Sequence, residues 1–147
     1  MRKFIMLAAV GVAFFGATLG AVAEDTNAEA EATYADIAKT LGVVPGYIKA
    51  YPKHAVSGSW QMSKALLASP DNTLDAKTKS LINLAVAAQV PCQYCVWLET
   101  EMAKKAGASQ DEVAEAVAQA AYVRHWSTFI NGMQVDFDTF KKEFGGH

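Results

Sequence analysis

Cys92 and Cys95 are the only cysteines in this 147-residue chain, and they stand three residues apart in Pro91-Cys92-Gln93-Tyr94-Cys95. A C-x-x-C pair at a helix N-terminus can cycle between dithiol and disulfide, because the positive end of the helix stabilises a thiolate. With no other cysteine in the chain, the pair serves itself, a metal, or a structural bridge. As a bridge it is poor, since so short a loop constrains the unfolded chain very little. Redox chemistry is the leading reading.

Positions i and i+3 share a helix face, and Glu99 follows Cys95 at i+4 on that same face. The helix dipole acts mainly within the first turn and favours a thiolate at Cys92. An ionised Glu99 opposes a thiolate at Cys95 by like-charge repulsion, yet it can also serve as the base that removes the thiol proton. These effects leave the attacking sulfur open, with a lean toward Cys92. His125 and His54 are further candidate proton carriers, each with a plainer alternative as a packing or surface residue. Tyr94 and Trp97 flank the cysteines and are placed to line a substrate pocket, while Trp60 and Trp126 read as core or interface anchors. A metal held by Cys92, Cys95, Glu99 and a histidine is chemically conceivable, but the spacing does not demand it, and neither a metal nor another cofactor is expected.

The elements that must position these groups are all helical. Thr33–Leu41 forms a short amphipathic segment closed by Gly42, and Val43-Val44-Pro45-Gly46 breaks the chain. Tyr47–Ala68 follows, with Pro52 as a kink or break. Ser69-Pro70-Asp71-Asn72 is a turn, after which Thr73 is placed to cap a helix over about 74–90. That helix is apolar nearly all round after Lys79, with Asn83 and Gln89 as exceptions, which predicts a buried central helix. Pro91 suits the first position of the next helix, 92–106, ending at Gly107. Ser109-Gln110-Asp111-Glu112 reads as a capping box opening an Ala-rich helix that extends to Asn131-Gly132, and 136–144 is a last short helix. Alternation at period two is absent for any length, so the fold class is all-α. Alanines such as Ala114, Ala118 and Ala121 allow close helix approach but bury little each, which predicts that the core is completed in a homo-oligomer.

The N-terminus reads as an export signal: Arg2 and Lys3, an apolar stretch Phe4–Leu19, then Ala21-Val22-Ala23 as a cleavage site, cut after Ala23. No stable membrane span is expected once residues 1–23 are removed. The expected location is periplasmic or secreted, where disulfides persist. Residues 24–32 read as a loose polar leader and 33–147 as one domain. Removing 1–23 takes away Arg2 and Lys3 and no acid, so the formal charge of −2 becomes −4. With that balance and scattered cations, nucleic acid is not an expected partner.

Leu74–Ala88, the C-x-x-C, and Gly107-Ala108-Ser109-Gln110-Asp111-Glu112-Val113, preceded by Leu41-Gly42-Val43-Val44-Pro45 and Trp60, resemble the carboxymuconolactone decarboxylase/alkylhydroperoxidase D-like family. The likeness covers most of the chain after about residue 40. It implies an all-α helical bundle of about six helices, assembled as a trimer or hexamer. It also implies thiol peroxidase chemistry, in which the second cysteine attacks a hydroperoxide and the first resolves the sulfenic acid. On that pattern Cys95 is peroxidatic and Cys92 resolving, the reverse of the dipole lean. Three positions depart from the pattern. Glu99 stands where those peroxidases carry a histidine, Ser80 where they carry a glutamate, and Tyr94 where a further histidine can occur. Glu99 is then the in-place candidate base, with His125 as its possible assistant.

The expectation is an exported peroxidase-like thiol oxidoreductase that takes a hydroperoxide and is recharged by an unidentified thiol reductant. One rival is a non-catalytic binding or assembly protein that retains the fold. The other is a thiol–disulfide exchange protein attacking through Cys92.

Overall fold

The computed structural model describes residues 15–146, with side chains from residue 25 onward. The expected export signal, 1–23, lies mostly outside the described residues. Among the described residues there are seven helices and no strand. The chain divides into two compact units, 1–69 and 70–147.

The first unit contains α1 (Phe15–Leu41), α2 (Gly46–Lys49) and α3 (Lys53–Ala68). Residues 24–32, expected as a loose leader, are instead part of α1. Alanine and glutamate are strong helix formers, and Ala30, Thr33 and Ile37 recur at helical spacing to form a buried face with Val56 of α3. Beside that face, Trp60 Nε1 and Lys64 Nζ of α3 donate to Asp36 of α1, at 2.7 and 2.6 Å. The Lys64 ammonium and then the Trp60 indole hold the Asp36 carboxyl below the usual carboxylate range. Gly42, at φ +79°, ends α1 in the left-handed region open to glycine. Pro52 produces a break rather than a kink: α2 stops after one turn, and Pro52 precedes α3.

The second unit contains α4 (Ala76–Gln89), α5 (Gln93–Lys105), α6 (Gln110–Gly132) and α7 (Phe137–Glu143). Asp75, not Thr73, caps α4, accepting from the Thr78 N–H at 2.7 Å. That bond holds the Asp75 carboxyl below its ordinary value. The Ser109–Glu112 capping box forms as expected. Leu84, Ala103 and Val113, one from each of α4, α5 and α6, are the buried centre, with Leu81, Val96 and Ala108 packed against them.

Two polar links fix the direction of α6 against α4. Lys77, in the first turn of α4, meets Glu112, in the first turn of α6, at 2.7 Å. Gln89, at the last residue of α4, donates to the Ala120 carbonyl at 2.6 Å. Start meets start and later meets later, so α4 and α6 run parallel, and α4 is the helix on which both α5 and α6 pack. The Lys77 contact pulls the Glu112 carboxyl below its ordinary range, with the Ser109 N–H adding to it, and the same contact raises Lys77.

Helix α4 is not buried all round. Ser80, Leu84 and Ala87 are buried, whereas Ile82 and Val86 remain 48% and 56% exposed. A single chain supplies α5 and α6 against α4, and these leave part of its apolar surface uncovered.

Candidate functional site

The chain passes from α4 to α5 through Val90, Pro91 and Cys92. The Cys92 N–H donates back to the Ala87 carbonyl at 3.3 Å, which ties the start of the motif to the end of the central helix. Pro91 was expected at the first helical position but lies two places before it, because Cys92 is the N-cap of α5 and Gln93 its first residue. The Cys92 sulfur accepts the Cys95 N–H at 3.2 Å. The two sulfurs form a disulfide, with the Cα atoms 5.3 Å apart. Both residues are half-buried, so the bridge is open to small reactants.

The helix N–H aimed at Cys92 Sγ is the contact that stabilises a thiolate on reduction. It acts on the first cysteine, in line with the dipole expectation. Cys95 lies inside the first turn, with Glu99 one turn further along α5. The Glu99 carboxylate accepts from Asn83 Nδ2 of α4 at 3.3 Å, so it is held by the central helix rather than swinging freely. Ser80 is buried one turn before Asn83 and Leu84. The structure thus joins Cys92, Cys95 and Glu99 on one short segment and adds Asn83.

The other expected residues are placed differently. Tyr94 and Trp97 follow the cysteines on α5 but are 78% and 67% exposed. They flank the site from the solvent side and do not enclose it. His125 is exposed on α6, its ring edge-on to Trp126 with centroids 5.1 Å apart. It lines an open groove between α4 and α6 together with Gln89, Arg124 and Pro91, the residue immediately before Cys92. His125 therefore neighbours the motif through Pro91, while the partner seen at Glu99 is Asn83. His54 is exposed in the first turn of α3, in the other unit. Among the described residues, no three His, Cys, Asp or Glu side chains converge to hold a metal ion.

Sequence reasoning did not assign Asn83, Gln89 or Arg124 to the site. Arg124 Nε donates to Gln89 Oε1 at 2.6 Å, and its Nη2 donates to the Gln89 carbonyl at 3.2 Å. The available signal was the pair of amides in an otherwise apolar helix. Each of them carries a polar link from α4 to a neighbouring helix.

Residues 54–136, more than half of the chain, match the carboxymuconolactone decarboxylase family. The chain belongs to that family. The match begins on α3 and ends at the cap of α7, so it contains all of α4, α5 and α6. The chain is also 36% identical over 70 residues to an uncharacterized protein in the cox locus of Paracoccus denitrificans, covering 48% of this chain and 61% of that relative. It therefore spans about three-fifths of the length of the curated relative it matches. In three dimensions it resembles the crystal structure of an alkylhydroperoxidase AhpD core from Rhodospirillum rubrum. The TM-score is 0.66 at 23% identity, over 88% of this chain and 96% of the other. At that identity the likeness establishes the all-α fold. Family membership leaves both peroxidase and decarboxylase chemistry open, and the residues of the site must separate them.

Proposed function

We propose that this protein is an exported thiol peroxidase that reduces a hydroperoxide with the Cys92–Cys95 pair. The observation that carries the reading is the half-buried C-x-x-C at the N-terminus of α5, with Glu99 held one turn beyond it by Asn83. A cysteine pair in sulfur–sulfur contact suits peroxide reduction and has no evident part in decarboxylating a lactone.

In the reduced protein, Glu99 takes the Cys95 thiol proton as the sulfur attacks the distal peroxide oxygen. The O–O bond breaks, an S–O bond forms, and the leaving alkoxide takes up a proton and departs as the alcohol. Cys95 is then a sulfenic acid. The Cys92 sulfur attacks Cys95, the S–O bond breaks, water leaves, and the disulfide forms. One hydroperoxide and two thiols become one alcohol, one water and one disulfide. An external thiol reductant returns two electrons and two protons. Its attack on Cys95 expels Cys92 as the thiolate, and the N–H at Cys92 Sγ favours that leaving group. Tyr94 and Trp97 border the approach, and His125 assists proton delivery from the Pro91 side. The apolar side chains exposed on α6, among them Tyr122, Val123 and Trp126, support assembly into a homo-oligomer, to be read by sedimentation.

The decisive experiment titrates thiols in the reduced protein after one equivalent of hydroperoxide. Both thiols disappear and a disulfide appears. Cys92→Ser stops at a dimedone-reactive sulfenic acid on Cys95, and Cys95→Ser does not react. Retention of both thiols by the native protein, matching Cys95→Ser, overturns the reading.

A second reading rests on the Cys95 N–H donated to Cys92 Sγ, which favours Cys92 as the nucleophile of a thiol–disulfide exchange protein. In that case Cys95→Ser accumulates mixed disulfides through Cys92, and peroxide leaves the thiols intact.

A further inference from the structure

The groove between α4 and α6 is a shallow depression of about 740 Å³, broadly open to solvent. Its lining is divided chemically. Ala88, Ala121 and Phe129 give it an apolar surface, and Arg124, His125 and Thr128 supply polar groups, with no acidic side chain among the lining residues.

Arg124 is exposed, but its guanidinium is tied to the end of α4. Its Nε and Nη2 both donate to Gln89, and the Gln89 amide is itself tied to the Ala120 carbonyl. Those bonds hold the guanidinium in one place and occupy two of its five N–H donors, leaving the others to meet an anion as a planar fork. Both partners of Arg124 on Gln89 are neutral, so its charge has no counter-ion in those contacts. A fixed cation in an apolar groove matches an amphiphile with one anionic head. Pro91 lines the same groove and is bonded to Cys92, which places this binding surface next to the sulfurs.

We propose that the α4–α6 groove binds a carboxylate-bearing, otherwise apolar hydroperoxide, with its carboxylate on Arg124 and its hydrocarbon against Ala88, Ala121 and Phe129. The identity of the reacting group rests on the peroxidase reading above; the binding of the carboxylate does not. Arg124 is a specificity residue here, touching the carboxylate of the substrate and not the reacting oxygens.

The test has two arms on the full chain. In the first, the oxidised protein is titrated with decanoate and with decan-1-ol, neither of which can react. Decanoate binds on the order of tenfold more tightly, as expected for a charge-assisted contact to a fixed guanidinium, and Arg124→Gln brings the two ligands to the same affinity. Arg124→Lys keeps the charge without the fork and gives an intermediate result; circular dichroism and melting certify that each variant is folded. In the second arm, linoleic acid hydroperoxide and its methyl ester are compared by kcat/KM. The acid is preferred by the native protein, and the preference disappears in Arg124→Gln. Equal binding of decanoate and decanol to the native protein overturns the proposal, as does a preference for decanoate that survives Arg124→Gln. Absence of turnover with both hydroperoxides, alongside selective decanoate binding, removes the peroxidase reading and keeps the groove as an anion-binding site.

Discussion

Replacing Glu99 with glutamine separates two roles that predict opposite signs. A helical i,i+4 pair has its Cβ atoms about 6 Å apart. Both Cys95 and Glu99 are half-buried, so the effective dielectric lies between that of a protein surface and that of water. Coulomb's law then gives about 1 kcal/mol of repulsion between a Glu99 carboxylate and a Cys95 thiolate. If Glu99 only repels, Glu99→Gln raises the thiolate fraction at neutral pH by roughly fivefold, and peroxide reduction speeds up by the same factor. If Glu99 is the base, its loss removes a contribution on the order of 100-fold, which outweighs the electrostatic gain. The net expectation is a slowing of at least about tenfold.

The assay is single-turnover oxidation of the reduced protein by a hydroperoxide, followed by tryptophan fluorescence across a pH series. The base role adds a signature: at alkaline pH the thiol ionises unaided, and the variant converges on the native rate. Asn83→Leu removes the donor that holds the carboxylate and produces a smaller defect of the same kind. A Glu99→Gln rate at neutral pH that equals or exceeds the native rate refutes the assignment and leaves Glu99 as a spectator charge.

Other outcomes follow from the scaffold. Leu84→Ala opens a cavity at the junction of α4, α5 and α6 and costs about 3 kcal/mol by urea denaturation; a cost below about 1 kcal/mol would mean that the site collapses around the gap. Ser109→Ala removes the cap of α6 and costs about 1 kcal/mol in the same measurement. The Asp36 carboxyl is held below its ordinary range by Lys64 and Trp60. The stability it contributes is therefore present above the usual carboxylate range and is lost as the pH falls through the lowered value. Asp36→Asn should shift the urea midpoint at neutral pH and have little effect in strong acid; an equal shift in both refutes the linkage.

Much of the second unit is legible in the residues, because its signals are local. The Ser109–Glu112 box and the Asp136-headed last helix depend on side chains within one turn of the backbone they satisfy, and the stop at Gly107 on its own φ of +91°. Leu84, Ala103 and Val113 were not singled out, because a helix apolar on nearly every side, as α4 is, has no periodicity to mark its buried face. The misreadings have physical reasons. Thr73 and Asp75 are both competent caps, and only the backbone path decides that Asp75 reaches the Thr78 N–H. Residues 24–32 look like a polar tail in isolation, but Ala30 continues the Thr33 and Ile37 face that packs on α3. The expectation for Tyr94 and Trp97 is of another kind: their register on α5 leaves them exposed beside the motif, where they can border an approach without enclosing it.

The site's polar partners were the least legible part, because Asn83–Glu99 and Gln89–Arg124 join helices through residues 16 and 35 positions apart. Their logic is nevertheless carried by α4 alone. A helix apolar on nearly every side has no local need for an amide, since an unpaired amide against apolar neighbours is costly. Asn83 and Gln89 are therefore retained where each has a partner to satisfy. The two amides sit on either side of the cysteine motif's attachment to α4. One steadies the carboxylate beyond Cys95, and the other fixes the guanidinium beside Pro91. On the proposed reading, reaction and recognition fall at two ends of one connection, which predicts that the two halves can be disabled separately: Glu99→Gln acts on the rate for every hydroperoxide, whereas Arg124→Gln acts on the choice among them. A variant at either position that changes both quantities in equal measure would show that the division does not exist.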